Sequence, residues 1–347
     1  MATVVREQGR AYIEGVRRIA WGADEGCGCE FAMALVSALE ALGDSVPYHH
    51  VMGVTGAAFR LTVHCNPWDP GSYSARAMAP DPAAPIRRAF EAVGRAYTLC
   101  EMSSEGDDAA RIKTSIDIGL PVLAHGVVGP SDCSIVTGYD EDGAVLMGWS
   151  TYQDIPFDHD EAPDATGYFR KHGWHANTRG YILLGDRVNR RPLPAVHRDA
   201  LELAVHLVRQ REVNGNPAGL GAYGYWADAL LDDRDFPAGD APALGGPYLG
   251  ILCNLMMVDD RRAAVDFLYD AATHLPDSAV ALREAASHYE ETGRLRTRLT
   301  ALLAEDFSEP AILSLAEREL REEYASVLRA IQRCDTCAIE AIERALV

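Results

Sequence analysis

The sequence has no uninterrupted apolar run that is long enough to cross a lipid bilayer. Its longest apolar stretch, GLPVLAHGVVG, is broken by Pro121 and His125, whereas a membrane-spanning helix needs about 20 apolar residues. The opening residues, MATVVREQGRAYIEGVRRIAWG, lack the apolar core and the small-residue cleavage site of a signal peptide. We therefore expect a cytoplasmic protein whose eight cysteines are mostly reduced thiols.

Basic residues are scarce relative to acidic ones. The chain has 32 lysines and arginines against 51 aspartates and glutamates, which gives a net charge of −19. A surface of this sign repels the phosphate backbone of nucleic acids and also repels anionic membranes, so neither is an expected partner. Low-complexity segments are absent, and an apolar fraction of 48% in 347 residues supports two domains of ordinary size.

The first half of the chain mixes helical and strand patterns. Apolar residues recur at helical spacing over 30–42, where Gly43 is a stop signal, and again over 85–99. The turn DEDG is typical of a hairpin between two strands. Four short strands are predicted, at 120–127, 133–140, 144–150 and 180–185.

The second half of the chain is almost wholly helical in pattern. The change follows the proline-bearing segment NRRPLPAVHR, and no strict repeat period is present, which favours an irregular helical domain over a solenoid. The sequence therefore predicts an α+β domain over residues 1–187, followed by a helical domain over residues 188–347.

Two cysteines, Cys27 and Cys29, stand just before the first amphipathic helix. A thiol at the first turn of a helix faces unpaired N–H groups and the positive end of the helix dipole, which favour the reactive thiolate. Cys29 lies nearest the helix and is the better candidate nucleophile. The alternatives are small residues at a packed turn, or a metal pair, but no second Cys/His pair with ligand spacing lies nearby. We therefore expect neither a metal nor another cofactor.

Two motifs together carry a resemblance to a known family. One is the helix headed by Cys29, and the other is the later pattern G-x-P-V … V-T-G-Y-D-x-D-G. Over roughly residues 15–185 the chain resembles papain-like cysteine enzymes. The nearest members are bacteriocin-processing peptidases and, more closely, the acyltransferases of butirosin biosynthesis (the BtrH N-terminal type). The resemblance implies a papain-like α+β fold with an antiparallel sheet, and transfer of an acyl chain from a carrier-protein thioester to an amine.

The chain departs from the papain-like pattern at the partners of the cysteine. The position of the catalytic histidine, six residues before Gly138, holds Asp132, with Cys133 beside it. The orienting asparagine or aspartate falls at Trp149 or the glycine before it. The glutamine that helps the oxyanion in papain has Ala23 at its position.

Three interpretations of the altered site stay open. In the first, another histidine is the base for Cys29, and a thiolate aided by Asp132 attacks an already activated thioester. In the second, Cys29 and Cys133 form a thiol pair that binds a soft metal or is oxidised. In the third, the site is inactive and the fold binds a ligand. The histidines considered as the base are His125, His49, His50 and His64.

The stretch YHHVMGVTGAAFRLTVHCNPWDP, residues 48–70, concentrates side chains that line pockets. We expect it to border the cleft, with Arg60 available for a carboxylate or phosphate of the substrate. The alternative is a buried turn with exposed histidines. Trp149 forms either an apolar wall of the cleft or part of the core. The residues expected to bind substrate are Cys27, Tyr48, His49, His50, Arg60, Trp68 and Trp149.

These observations predict a cysteine-dependent acyltransferase of natural product biosynthesis. It would form an amide from a carrier-protein or CoA thioester and an amine of a small metabolite, with Cys29 as nucleophile and Asp132, His125 and Cys133 beside it. The expected partners are the small-molecule substrate and an acyl carrier protein. The alternatives are a catalytically inactive papain-like protein that binds a small molecule, or an amidase or peptidase.

Overall fold

The computed structural model describes residues 3–21, 28–65, 68–69, 79–130, 132–154, 163 and 165–347. The chain divides into two compact units. The first comprises Met1–Val51 and Ala89–Arg191, and the second comprises Met52–Arg88 and Pro192–Val347. Residues 52–88, which the sequence analysis assigned to the N-terminal domain, therefore group with the C-terminal helices.

The first unit is built around an antiparallel sheet of eight strands. The strands are β1 (Val4–Glu7), β2 (Arg10–Ile13), β3 (Arg95–Cys100), β4 (Val122–His125), β5 (Cys133–Asp140), β6 (Val145–Trp149), β7 (Phe169–His172) and β8 (Gly180–Arg187). Six follow the order β1-β2-β5-β4-β8-β3, while β6 pairs with β5 and β7. Because β5 pairs with three strands, the sheet curls.

Among the described residues of the first half of the chain, four segments are α-helical. They are α1 (Glu30–Ala41), α2 (Tyr48–Thr55), α3 (Ala84–Val93) and α4 (Glu105–Asp117). Both α1 and α4 contact β4 and β5, and every residue of β4 is buried. A strand that is buried along its whole length lies in a sheet covered on both faces. The central strands are therefore sandwiched between helices.

The predicted helix over 30–42 corresponds to α1, and the four predicted strands correspond to β4, β5, β6 and β8. The predicted helix over 85–99 is wrong in its second half, because α3 ends at Val93 and β3 begins at Arg95. Gly94 stands between them with φ +67, and a Cβ there would lie 2.3 Å from the side chain of Arg190. The chain breaks at this glycine because only glycine adopts that conformation in that space.

The second unit contains the helices of the C-terminal half, with a small hairpin of β9 (Glu212–Val213) and β10 (Asn216–Pro217). The helices are α5 (Leu193–Arg209), α6 (Gly219–Ala229), α7 (Ala241–Asp259), α8 (Arg261–His274), α9 (Ala279–Leu302), α10 (Glu309–Ser314) and α11 (Arg318–Leu346). The predicted fold class is thus confirmed at its coarser level: an α+β protein with a curled antiparallel sheet and a C-terminal helical region.

A buried polar network joins the helices of the second unit. Asp335 on α11 accepts hydrogen bonds from Arg261 Nε at 2.9 Å, from the Tyr223 hydroxyl at 2.8 Å and from the Thr292 hydroxyl at 2.9 Å. Arg261 Nη1 also donates to the carbonyl oxygens of Ala58 and Arg60, at 3.0 and 2.9 Å. This guanidinium therefore holds the 58–60 backbone against α8 within the helical unit.

One stretch in the described part of the chain is long and apolar enough, by length and composition alone, to cross a membrane. It is Ala241–His274, with a mean hydropathy of 1.4 in its most apolar window. The expectation that GLPVLAHGVVG is the longest apolar stretch is therefore wrong, because residues 241–258 form a longer run without a charged side chain. Of that window, 61% is buried inside the protein, as in a core helix of a soluble protein.

Candidate active site

Cys29 is the N-cap of α1, the position from which the helix begins. Its backbone is extended, with φ −122 and ψ 103, and its side chain makes no capping hydrogen bond. The Cys29 carbonyl accepts from the Met33 N–H at 3.1 Å, which closes the first turn. The Cys29 N–H donates to the Tyr48 hydroxyl at 3.2 Å. The residue is fully buried. Cys27 lies outside the described residues.

The opposite end of α1 is fixed at one end of the sheet. Asp44, three residues after the helix, lies 2.6 Å from the guanidinium nitrogens of both Arg95 and Arg187. Burial opposes ionisation of Asp44, but hydrogen bonds from these two arginines outweigh it and lower the pKa of the carboxyl. Arg95 begins β3 and Arg187 ends β8, and the two residues are partners in the ladder. The C-terminal end of α1 therefore lies at this end of the sheet.

Cys29 lies at the other end of α1 from Asp44. A helix rises about 1.5 Å per residue and a strand about 3.3 Å, so the 12 residues of α1 span about 18 Å and the eight of β8 about 26 Å. Gly180 begins β8 at the end away from Arg187. In the ladders, His125 is the partner of Gly180 and also of Cys133. His125 and Cys133 thus lie at the end of the sheet away from Arg187.

The alternation of side chains along the strands assigns His125 and Cys133 to one face. Tyr181 and Ala124 are cross-strand partners, and Tyr181 donates to Asp108 on α4, so α4 covers the face of these two residues. His125 follows Ala124 and therefore points to the other face, which it shares with its partner Cys133. That face is left to α1. The structure thus makes His125 and Cys133 cross-strand partners, and α1, which begins after Cys29, contacts both of their strands.

Asp132 belongs to the turn beside this pair. Its carbonyl accepts from the Gly126 N–H at 3.0 Å, and its own N–H donates to the Pro130 carbonyl at 2.6 Å. Asp132, His125 and Cys133 are all buried. On the other side of β4, the Arg179 N–H donates to the His125 carbonyl at 2.8 Å. The backbone of His125 is therefore held from both neighbouring segments.

The residues predicted to bind substrate divide between the two units. Tyr48 lies beside Cys29 in the first unit, where His49 is half-buried and His50 is buried, with its N–H bonded to the Pro47 carbonyl. Trp149 is in the same unit, and its Nε1 donates to the Val16 carbonyl at 2.8 Å. Its indole also packs on a neighbouring tyrosine ring.

Arg60, His64 and Trp68 lie in the second unit and bind residues of that unit. Arg60 is buried against the carboxylate of Asp260, at 3.6 Å. The His64 Nδ1 lies 3.4 Å from an oxygen of Asp69. The indole of Trp68 donates to Asp235 at 3.1 Å. The structure thus places these three side chains in contacts within the helical unit, and the carboxylate that Arg60 meets is part of the protein itself.

Sequence reasoning missed the polar centre around Asp108. This carboxylate, with no exposed surface, lies on the α4 face, at the end of the sheet where Gly180 and His125 lie. Burial opposes its ionisation, but hydrogen bonds from Ser103, Tyr181 and His175 outweigh that effect and lower its pKa. The sequence offered one signal, since the serines before EGDD are typical of a helix N-terminus, and Ser104 is indeed the N-cap of α4.

No protein-family model matches the chain, and a search of curated proteins found none that is similar to it in sequence.

Proposed function

We propose that the protein is a cysteine-dependent acyltransferase that forms an amide from a thioester and an amine of a small metabolite. The observation that carries this proposal is the place of Cys29. It begins a buried helix that contacts the two strands on which His125 and Cys133 are cross-strand partners. A cysteine at a helix N-terminus is stabilised as the thiolate by the helix dipole and the first-turn N–H groups.

The reaction has two balanced steps. The Cys29 thiolate attacks the carbonyl carbon of the donor thioester, the carbon–sulfur bond to the donor breaks, and the donor leaves as a thiol after taking a proton. The amine then attacks the Cys29 acyl thioester, which forms the amide and returns the thiol of Cys29 after loss of the amine proton. His125 is the candidate for carrying these protons, because its strand β4 contacts the helix that Cys29 begins.

A thioester suits this site better than a peptide bond does. Amide cleavage needs strong protonation of the leaving nitrogen and strong oxyanion stabilisation. The chain has Asp132 at the position of the papain-like histidine and Ala23 at that of the oxyanion glutamine. A thiol is a good leaving group and requires less help. An amidase or peptidase is therefore the weaker proposal.

The proposal extends to the fold and the partners. An α-helix headed by cysteine and packed on a curled antiparallel sheet supports a papain-like arrangement of the first unit. The acyl donor would be an acyl carrier protein or CoA, and the acceptor a small-molecule amine. We place the protein in the cytoplasm, and we propose no cofactor.

A second candidate is a non-catalytic protein that binds a small molecule on the same fold. The full burial of Cys29 favours it, because a nucleophile must be reached by its substrate. This candidate predicts that Cys29→Ser still binds the ligand. The ligand would then raise the melting temperature of Cys29→Ser as much as that of the native chain.

The test measures turnover and covalent acylation together. The chain is incubated with S-hexanoyl-N-acetylcysteamine and a panel of primary amines, and thiol release, amide product and intact mass are followed. The proposal predicts an acyl adduct and amide product for the native chain and for Cys253→Ala, which removes another buried cysteine. It predicts neither for Cys29→Ala. Equal behaviour of the native chain and Cys29→Ala would rule out covalent catalysis by Cys29.

A further inference from the structure

Asp108 holds both ends of the segment that runs from His175 to Tyr181. Its Oδ2 lies 3.1 Å from His175 Nε2, and its Oδ1 accepts from the Tyr181 hydroxyl at 2.8 Å. Ser103 donates to the same carboxylate through its N–H and its hydroxyl, both at 2.8 Å. Since a carboxylate only accepts hydrogen bonds, Nε2 is the protonated nitrogen of His175.

The middle of this segment contacts the candidate base. The Arg179 N–H donates to the His125 carbonyl at 2.8 Å, and Gly180 is the ladder partner of His125. The Asn177 carbonyl oxygen lies 2.7 Å from the position that a Cβ of Gly126 would take. The backbone of residues 177–180 therefore sets where the end of β4, and with it His125, can lie.

Hydrogen bonds within the segment and to Asp108 restrain its backbone. The Thr178 N–H and hydroxyl both donate to the Trp174 carbonyl, at 3.2 and 2.6 Å. Asp108 is fully buried, so its hydrogen bonds do not compete with solvent. Its pKa is lowered although burial acts in the opposite direction, because four hydrogen bonds converge on it, which supports an ionised carboxylate with charge-assisted bonds.

We infer that Asp108 is a positioning residue for His125, acting through the segment from His175 to Tyr181; the inference rests on the proposed function of the Cys29 site. Asp108 does not itself contact the reacting groups, because it lies on the opposite face of the sheet from His125. Its effect on catalysis is the placement of the imidazole relative to the Cys29 thiol and the bound thioester.

Asp108→Asn replaces one accepting oxygen by an NH₂ group. The asparagine side chain therefore cannot accept hydrogen bonds from both His175 and Tyr181. We expect the acylation rate of Cys29 to fall about ten- to a hundredfold, because small displacements of catalytic groups have effects of that size. Asp117→Asn is the matched control. It lies on the same helix and accepts one side-chain hydrogen bond, from the Tyr139 hydroxyl at 3.0 Å, which the remaining oxygen of asparagine can still accept.

The experiment is a double-mutant cycle on single-turnover acylation by S-hexanoyl-N-acetylcysteamine, followed by mass. If Asp108 acts through His125, Asp108→Asn slows the native chain but adds little to the slowing caused by His125→Ala. If Asp108 has a purely structural role, the rate reductions caused by Asp108→Asn and His125→Ala multiply in the double variant. Thermal unfolding of each variant is recorded alongside, so that loss of folding is recognised.

Tyr181→Phe provides a second, milder variant, with Tyr139→Phe as its control. It removes one of the donors to Asp108 and should slow acylation a fewfold, again only where His125 is present. Independent effects in the cycle, or an unchanged rate in both Asp108→Asn and Tyr181→Phe, would overturn the inference and leave the proposed function intact. A native chain that is never acylated would overturn the proposed function and this inference with it.

Discussion

The hydroxyl of Tyr48 accepts a hydrogen bond from the backbone N–H of Cys29, at 3.2 Å. The backbone N–H at the start of α1 therefore finds its hydrogen-bond acceptor on a side chain 19 residues later in the sequence. The cysteine side chain itself makes no capping hydrogen bond. Both residues are buried, so water is a poor substitute for the phenol. This contact ties the candidate nucleophile to the start of α2.

Tyr48→Phe tests this contact. It leaves the buried Cys29 N–H without its phenol partner, and we expect the free energy of unfolding to fall by about 1–3 kcal/mol. Urea denaturation measures the change. Tyr225→Phe, which removes an exposed hydroxyl on α6, is the control and should leave stability unchanged. Equal stability of the Tyr48 variant and the native chain would mean that the contact contributes nothing.

Gly126→Ala tests the close approach beside His125. Gly126 has φ +81, and an added Cβ would lie 2.7 Å from the Asn177 carbonyl oxygen. Gly173→Ala is the matched control, since it has φ +57 with nothing within 4 Å of the added Cβ. Both variants carry the strain of a positive φ, about 1–3 kcal/mol. Thermal unfolding should show a clearly larger loss for Gly126→Ala, and equal losses would contradict the described backbone packing.

The raised pKa of the buried Asp260 carboxyl predicts that the stability of the fold depends on pH. Burial raises the pKa of this carboxyl from its ordinary value of 3.8 to about 7, and the charges of Arg60 and Arg261 offset only part of the effect. Between about pH 4 and pH 7 the folded state therefore holds a proton that the unfolded state has lost. Stability from this group is present at low pH and is lost as the pH rises through that window.

The expected slope is on the order of 1.4 kcal/mol per pH unit within the window. Asp260→Asn should remove this contribution, which denaturant unfolding at a series of pH values would measure. Asp266→Asn, an exposed position on α8, the helix that begins directly after Asp260, should keep the dependence of the native chain. A variant at Asp260 with the native pH profile would refute the assignment.

Arg261→Met tests the buried network of the helical unit. It leaves the Asp335 carboxylate buried without its cation and removes the donor to the carbonyls of Ala58 and Arg60. Breaking such a pair from one side costs about 3–5 kcal/mol. Arg329→Met breaks an exposed pair with Asp228 on the surface and should cost at most about 1 kcal/mol. Comparable losses in the two variants, measured by urea denaturation, would disprove the role of the network.

Local patterns in the sequence were sufficient for the elements that frame the candidate site. The helix over 30–42 and its stop at Gly43 follow from apolar spacing, and the strand over 133–140 follows from its β-forming run and the turn after it. These signals lie within a few residues of the element they specify. The location of Cys29 at a helix N-terminus could therefore be predicted.

Long-range partners could not be predicted in the same way. Arg60 has the composition of a substrate-binding residue, but its carboxylate partner, Asp260, lies 200 positions later in the sequence. The contacts of Asp108 with His175 and Tyr181 likewise span about 70 residues. Neither periodicity nor spacing carries information about such pairs, so the burial of Arg60 and the centre at Asp108 required the structure.

The most direct test of the account asks which cysteine carries the acyl group. The native chain is mixed with S-hexanoyl-N-acetylcysteamine without an amine, quenched in acid, digested and measured by peptide mass, with Cys29→Ser as control. The account predicts an acyl group on the peptide that contains Cys29 in the native chain and none on that peptide in the variant. Acylation only at more exposed cysteines such as Cys100 or Cys337, with none at Cys29, would contradict it.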